Sequence, residues 1–243
     1  MESIIALVLA GGEEDELSQS QAVKHKANII VNGKPLFEPV LKALKESKEI
    51  AKTIYVGSLD DSYHKFVDKV IEAGDSFYKS LSLGIKATTN YNPSKILVIT
   101  ADLPFIKAST ISEFIRRSSN AELVYPIIKK ETSLEQFPNQ KRTYAKFIEG
   151  SFTGGNAILF KPKISNKLLV FADRAYKARK SPLKLAFLLG IDIFISLMLG
   201  RSSISKLEKR VSKLLDADVK TYICQDASLG ADIDKLEHLQ NIS

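Results

Sequence analysis

Apolar and polar positions follow one another in blocks along the 243-residue chain. "SIIALVLA" (3–10) is an unbroken apolar run, the pattern of a strand covered on both faces. "PLFEPVLKALKES" (35–47) then sets Leu36, Phe37, Val40, Leu41 and Leu44 on one helical stripe. Pro35 suits the first turn of that helix, and Pro39 still lies near its start. "KTIYVGS" (52–58) reads as a strand and "DSFYKSLSLGIKATTN" (75–90) as a helix. "SKILVITADLP" (94–104) is a third strand, apolar until it meets Asp102. "STISEFIRRSS" (109–119) reads as a helix with Ser109 in the capping position, and "AELVYPII" (121–128) as a fourth strand. Strand and helix in alternation, with strands this apolar, predict crossover units and a mostly parallel sheet. Ligands of such sheets lie beyond the carboxyl ends of the strands. That rule gathers Gly11, Gly12 and Asp102 at one cleft.

The pattern then changes. "KRTYAKFIEGSFTGGNAILFKP" (141–162) alternates, turns at Glu149-Gly150 and alternates again, as an antiparallel pair does. From about 163 to 216 the spacing is helical. Within it, "PLKLAFLLGIDIFISLMLG" (182–200) is apolar but contains Lys184, Asp192 and two glycines, and so falls short of the about 20 nearly uncharged residues of a membrane-spanning helix. It reads as a buried helix or helical pair, with an apolar substrate groove or a membrane-surface contact as the other readings. "DVKTYICQ" (218–225) is one more strand, and "DIDKLEHLQ" closes the chain as a short helix. No repeat, low-complexity tract or linker interrupts the sequence. A single domain over 1–243, with a helical elaboration at about 163–216, is the expectation.

Composition adds limits. With 44% hydrophobic and 26% charged residues the chain is globular, not disordered. The net charge of +7 fits either a solvated lysine-rich surface or a site for a polyanion such as a triphosphate. Its cations are scattered, with no dense basic arm, which argues against nucleic acid. The single cysteine, Cys224, excludes an intrachain disulfide and two-cysteine zinc motifs, and His25, His64 and His238 lack metal-ligand spacing. The N-terminus has no basic n-region or cleavage site of a signal peptide, so a reducing, cytoplasmic compartment is expected.

Candidate chemistry sits at the strand ends. Asp102 in "TADLP" is placed either to hold magnesium, which takes a few carboxylates beside substrate phosphates, or to form a turn. Asp232 and Asp234 in "GADIDKLEHL" are second carboxylates for that ion if the chain end returns to the cleft, or a helix cap. Gly11 and Gly12 allow backbone N–H groups close to phosphates. Lys26 is placed to offset phosphate charge, or is a surface lysine. Ser80 and Ser82 offer hydroxyls to a base or sugar, or cap a helix. Gly154, Gly155 and Asn156 offer a close backbone and an amide to an acceptor, or form a β-bulge.

Taken in order, "LVLAGG", "KANIIVNGKPLFEPVL", "SLSLG", "ITADLPFI", "TGGNAILF" and "DIDKLEHL" resemble the MobA-like nucleotidyltransferase family, over nearly the whole chain. Its relatives include the molybdenum cofactor guanylyltransferase and the sugar-phosphate and cytidylyl transferases. The resemblance implies a Rossmann-like, three-layer α/β/α fold of GT-A-like type. Its sheet would be mostly parallel, with an antiparallel hairpin. It implies transfer of a nucleoside monophosphate from an NTP to a phosphorylated small-molecule acceptor, with magnesium and release of pyrophosphate. By position, Leu9, Ala10, Gly11 and Gly12 correspond to the nucleotide loop and Lys26 to the family's lysine. Ser80 corresponds to the serine of the base-binding helix and Asp102 to the magnesium aspartate. Asp232 or Asp234, the former preferred, takes the second acidic position. One departure stands out. The family writes an arginine in "LAGGxSxRxG", where this chain has Ser20 or Gln21 behind the acidic Glu13, Glu14, Asp15 and Glu16. A slower enzyme, an altered donor and a nucleotide-binding protein without turnover are the three consequences it allows. The resemblance names neither base, acceptor nor oligomeric state.

Overall fold

Strand β1 (Ile4–Leu9) is buried along its whole length, and its side chains divide by parity between two cores. Ile4, Ala6 and Val8 point into one, and Ile5, Leu7 and Leu9 into the other. A strand apolar on both faces needs a helical layer on each, and the fold supplies both. The structure, a computed structural model, describes residues 3–11, 18–19, 22–23, 25–178 and 181–233.

On the first face lie α1 (Glu38–Glu46) and α3 (Ala108–Arg117). On the second lie α2 (Phe77–Thr88), α5 (Ser165–Ala178) and α8 (Ile204–Leu215). Between them runs a sheet in which β4 (Ile50–Val56) and β6 (Lys95–Thr100) flank β1 in parallel, and β5 (Lys69–Ile71) extends the edge beyond β4. Beyond β6, β10 (Ala157–Phe160) enters antiparallel and pairs with both β6 and β7 (Leu123–Lys129). β11 (Val219–Cys224) lies parallel to β7. A hairpin of β8 (Ala145–Phe147) and β9 (Gly150–Gly154) completes the sheet against β7. The mostly parallel three-layer architecture with an antiparallel hairpin is therefore as the sequence leads one to expect.

Several details differ. Helix α3 begins at Ala108 after Lys107, so Ser109 lies inside the first turn and caps nothing. The turn of the β8–β9 hairpin is Ile148-Glu149, because Phe147 pairs directly with Gly150. The strand β5, the small antiparallel pair β2 (Ile30–Val31) and β3 (Lys34–Pro35), and helix α4 (Lys130–Gln136) are too short to leave a periodic trace. The helical stretch resolves into α5, α6 (Pro182–Leu189), α7 (Ile191–Met198) and α8. The apolar segment 182–200 is indeed a helical pair, broken at Gly190, but it is not buried. Phe187 is 79% exposed and Met198 69%. The closing helix expected after residue 233 lies outside the described residues.

Candidate active site

The carboxyl ends of β1 and β6 are tied together, with Ala101 N–H donating to Leu9 C=O at 3.1 Å. Ala10 N–H in turn donates to Val56 C=O of β4 at 2.9 Å. Leu9 and Ala10 are thereby fixed as the floor from which Gly11 leaves the sheet. A Cβ on Gly11 would overlap the Ala73 methyl, so only glycine lets the loop pass here. Gly11 opens into a cleft of about 700 Å³, also lined by His25, Gly57, Gly74, Asp75, Phe77, Ser80 and Tyr176.

Ser80 sits in the first turns of α2, but Ser76 caps that helix, accepting from Lys79 N–H at 3.2 Å. The Ser80 hydroxyl instead accepts from Gly74 N–H at 3.1 Å, and it holds the 73–75 loop against the cleft wall. Gly84, one turn on, lets α2 approach β1. A Cβ there would meet the Leu7 methyls at 2.5 and 2.7 Å.

Lys26 owes its place to a local device. Asn32 (φ 51°) and Gly33 (φ 74°) take the left-handed conformations of a tight hairpin turn between β2 and β3. Leu36 N–H donates to Ile29 C=O and Phe37 N–H to Ala27 C=O, which folds the segment back on itself. Ile29 and Leu36 then pack on Ile233 from the far end of the chain. Lys26 projects from the base of this unit, and its Nζ lies 2.5 Å from Asp102 Oδ2. The pair is largely enclosed, with 21% and 12% of the side chains exposed. Asp102 Oδ1 is buried with no hydrogen-bond partner among the described residues.

A third group closes the site. Ile233 N–H donates to Asp102 C=O at 3.3 Å, which sets Asp232 beside the end of β6. Arg142 then holds Asp232, with Nη1 2.7 Å from Oδ1. The same guanidinium reaches Thr153 Oγ1 at 3.2 Å and Gly154 C=O at 3.1 Å. Nothing in the spacing of "NQKRTY" marks Arg142, because its partners are remote in sequence. Gly154, Gly155 and Asn156 form the break between β9 and β10. From Val124 to Ile127 the strand β7 advances three residues while its partner, from Leu159 to Gly154, advances five. The extra pair is accommodated by Gly155 N–H donating to Pro126 C=O and Asn156 N–H to Leu229 C=O. These backbone groups are thus satisfied internally, while the Asn156 side-chain Nδ2 is buried without a hydrogen-bond partner among the described residues.

The structure thus brings Gly11 and Ser80 to the cleft, with Leu9 and Ala10 buried behind Gly11, and pairs Lys26, which follows the lining residue His25, with Asp102. Arg142 joins Asp232 to Gly154, while the backbone of Gly155 is held by Pro126 and that of Asn156 by Leu229. Gly12, Asp234 and the acidic stretch 13–16 lie outside the described residues.

An open α/β sheet with a glycine turn after the first strand, and a lysine–aspartate pair at its carboxyl edge, defines a nucleotidyltransferase-type protein. The chain belongs to the MobA-like NTP transferase domain family, whose model matches residues 6–183. A hypothetical transferase from Thermus thermophilus is 31% identical, with a TM-score of 0.88, over 98% of this chain and 99% of that one. The 2-C-methyl-D-erythritol 4-phosphate cytidylyltransferase of Thermotoga neapolitana is 26% identical over 147 residues, 58% of this chain. That match spans 65% of the relative's own length. The 4-diphosphocytidyl-2C-methyl-D-erythritol synthase of Anaerococcus prevotii shares the fold, with a TM-score of 0.60 at 14% identity over 99% of this chain and 96% of that one.

Proposed function

We propose that the protein is a magnesium-dependent nucleotidyltransferase of the cytoplasm that moves a nucleoside monophosphate from an NTP to a phosphorylated small molecule. The observation that carries the reading is the enclosed Lys26–Asp102 pair, at the same carboxyl edge of the sheet as a cleft lined by Gly11 and Ser80. An ionised phosphate oxygen of the acceptor forms a bond to the α-phosphorus, and the bond from that phosphorus to the bridging oxygen breaks. Pyrophosphate leaves with the electron pair, and no protein base is needed because the attacking oxygen is already deprotonated. Lys26 offsets the charge that grows on the phosphoryl oxygens. Gly11 lets the backbone come close to the triphosphate, and the Ser80–Gly74 bond shapes the wall for the base. The all-oxygen donor set of Asp102 and Asp232 fits magnesium, and Asp102 Oδ1, buried without a hydrogen-bond partner among the described residues, would be a ligand for it. When bound, the ion supplies charge neutralisation between the two phosphate partners. Gly154 and Gly155 set the wall on which the Asn156 amide meets the acceptor.

The test is release of pyrophosphate by purified protein with magnesium, CTP first because the curated relative is a cytidylyltransferase by name, then the other NTPs. A panel of sugar and polyol phosphates serves as acceptors. Turnover with one donor, lost in Asp102→Asn, is the expected result. The missing loop arginine favours a second reading, nucleotide binding without transfer. Binding that survives Asp102→Asn, with no pyrophosphate from any acceptor, would establish that reading instead.

A further inference from the structure

Helices α6 and α7 present large apolar side chains to the outside. Phe187, Ile191, Ile195, Met198 and Leu199 are 79, 58, 51, 69 and 60% exposed. On α7, Ile191, Ile195 and Met198 recur at spacings of four and three residues and so share one face, while Phe187 is exposed on α6 and Leu199 at the end of α7. Ile148, 68% exposed at the tip of the β8–β9 hairpin, adjoins this face, because its N–H donates to Ser202 C=O just past α7. A contiguous apolar face of this kind on a folded surface marks a contact.

The charges around it say what kind. Residues 174–213 hold ten Lys and Arg against two acids, Asp192 and Glu208. Both acids have basic neighbours. Glu208 lies 3.7 Å from Lys220 Nζ, and Asp192 shares the space over Gly190 with the Arg210 guanidinium. Lys184 stands one turn before Phe187, Arg201 two residues after Leu199, and Lys146 two before Ile148; all three are exposed. Two copies of so basic a face would repel each other, whereas an anionic surface is attracted to it. Short helices with an apolar face and cationic flanks lie in the plane of a membrane interface.

We propose that the α6–α7 face seats the protein on an anionic lipid surface, Phe187, Ile191, Ile195 and Met198 entering the interface while Lys146, Lys184 and Arg201 meet the headgroups. This contact is independent of the transfer reaction and needs no spanning helix. Among the described residues no helix is long and apolar enough to cross a membrane.

Sedimentation of the full chain with vesicles tests it, using phosphatidylcholine alone and phosphatidylcholine mixed with phosphatidylglycerol, at low and high salt. Binding to the mixed vesicles at low salt, weakened by salt or by omission of phosphatidylglycerol, is expected. The pair Lys184→Glu and Arg201→Glu should lower partitioning at least about tenfold. The pair Phe187→Asp and Ile195→Asp should abolish it, and Leu134→Asp on α4 should leave it unchanged. Circular dichroism and melting temperature establish that each variant folds. Absence of binding to either vesicle, or binding that Phe187→Asp with Ile195→Asp leaves intact, overturns the proposal. Self-association of the wild type that the same pair removes, without vesicle binding, would assign the face to a second copy. Retention on polyglutamate without vesicle binding would assign it to an acidic protein.

Discussion

Lys26 and Asp102 each depend on the other's charge. Each is largely enclosed, and a partly buried charge that loses its partner is costly. Lys26→Ala should therefore act twice. It should lower kcat for nucleotidyl transfer by about 10²–10³-fold, the scale of losing one positioned electrostatic contact. It should also lower the melting temperature, which Lys26→Met, keeping the stem without the charge, would not fully restore. Asp102 is readable in the sequence because it stands where the apolar run of β6 gives way to a loop, and Lys26 only through the family resemblance of the motif it opens, "KANIIVNGKPLF". Arg142 is not, since its role arises only when residues 153, 154 and 232 converge on it. Cys224 tests burial in the same way. It is buried beneath the end of β11, and burial pushes its thiol up from 9.0 to about 11. Its reaction with a disulfide reagent at pH 8 should run about a hundredfold slower in the native state than after unfolding. The unfolded chain loses this proton first, so the contribution of Cys224 to native stability falls as pH rises from 9.0 towards about 11. A urea titration of wild type and Cys224→Ala across that range reads the difference.

At the scale of elements, the strands with long apolar runs were legible and the short ones were not. β1 and β6 are covered on both faces, so their sequences are nearly all apolar and announce themselves. β5 has three residues and takes its place by pairing Lys69, Val70 and Ile71 with β4, a fact that no local pattern encodes. The pair α6–α7 is helical as its sequence implies but largely exposed, since an apolar composition implies burial only if another element covers it. Helix α2 shows the finest fit, because its distance from β1 is set by the missing side chain at Gly84. Gly84→Ala would drive a methyl into Leu7. It should cost about 1–3 kcal/mol in urea unfolding, more than the helix propensity of alanine returns. Because α2 also carries Ser80, nucleotide affinity should fall with it. Ser82→Ala, on the same helix, should change neither.

Over the whole molecule, the site is an assembly of distant segments around a small third core. Ile29, Leu36 and Ile233 form that core apart from the two large ones, with Val23 and Val31 packed against it. Ile233→Ala removes most of one of its three buried members and should cost about 2–4 kcal/mol. It should impair transfer more than nucleotide binding, since the Gly11–Ser80 cleft is built without it. Equilibrium titration with CTP beside a pyrophosphate assay separates the two. The hydrogen bond from Ile233 to Asp102 has a consequence in time. A ribosome makes the chain from its amino end, and a domain folds as a unit. The glycine turn, the lysine hairpin and the aspartate strand are all synthesised more than a hundred residues before the segment that joins them to Arg142. The Lys26–Asp102 half of the candidate site can therefore be joined to its Arg142–Asp232 half only after residue 233 has been made.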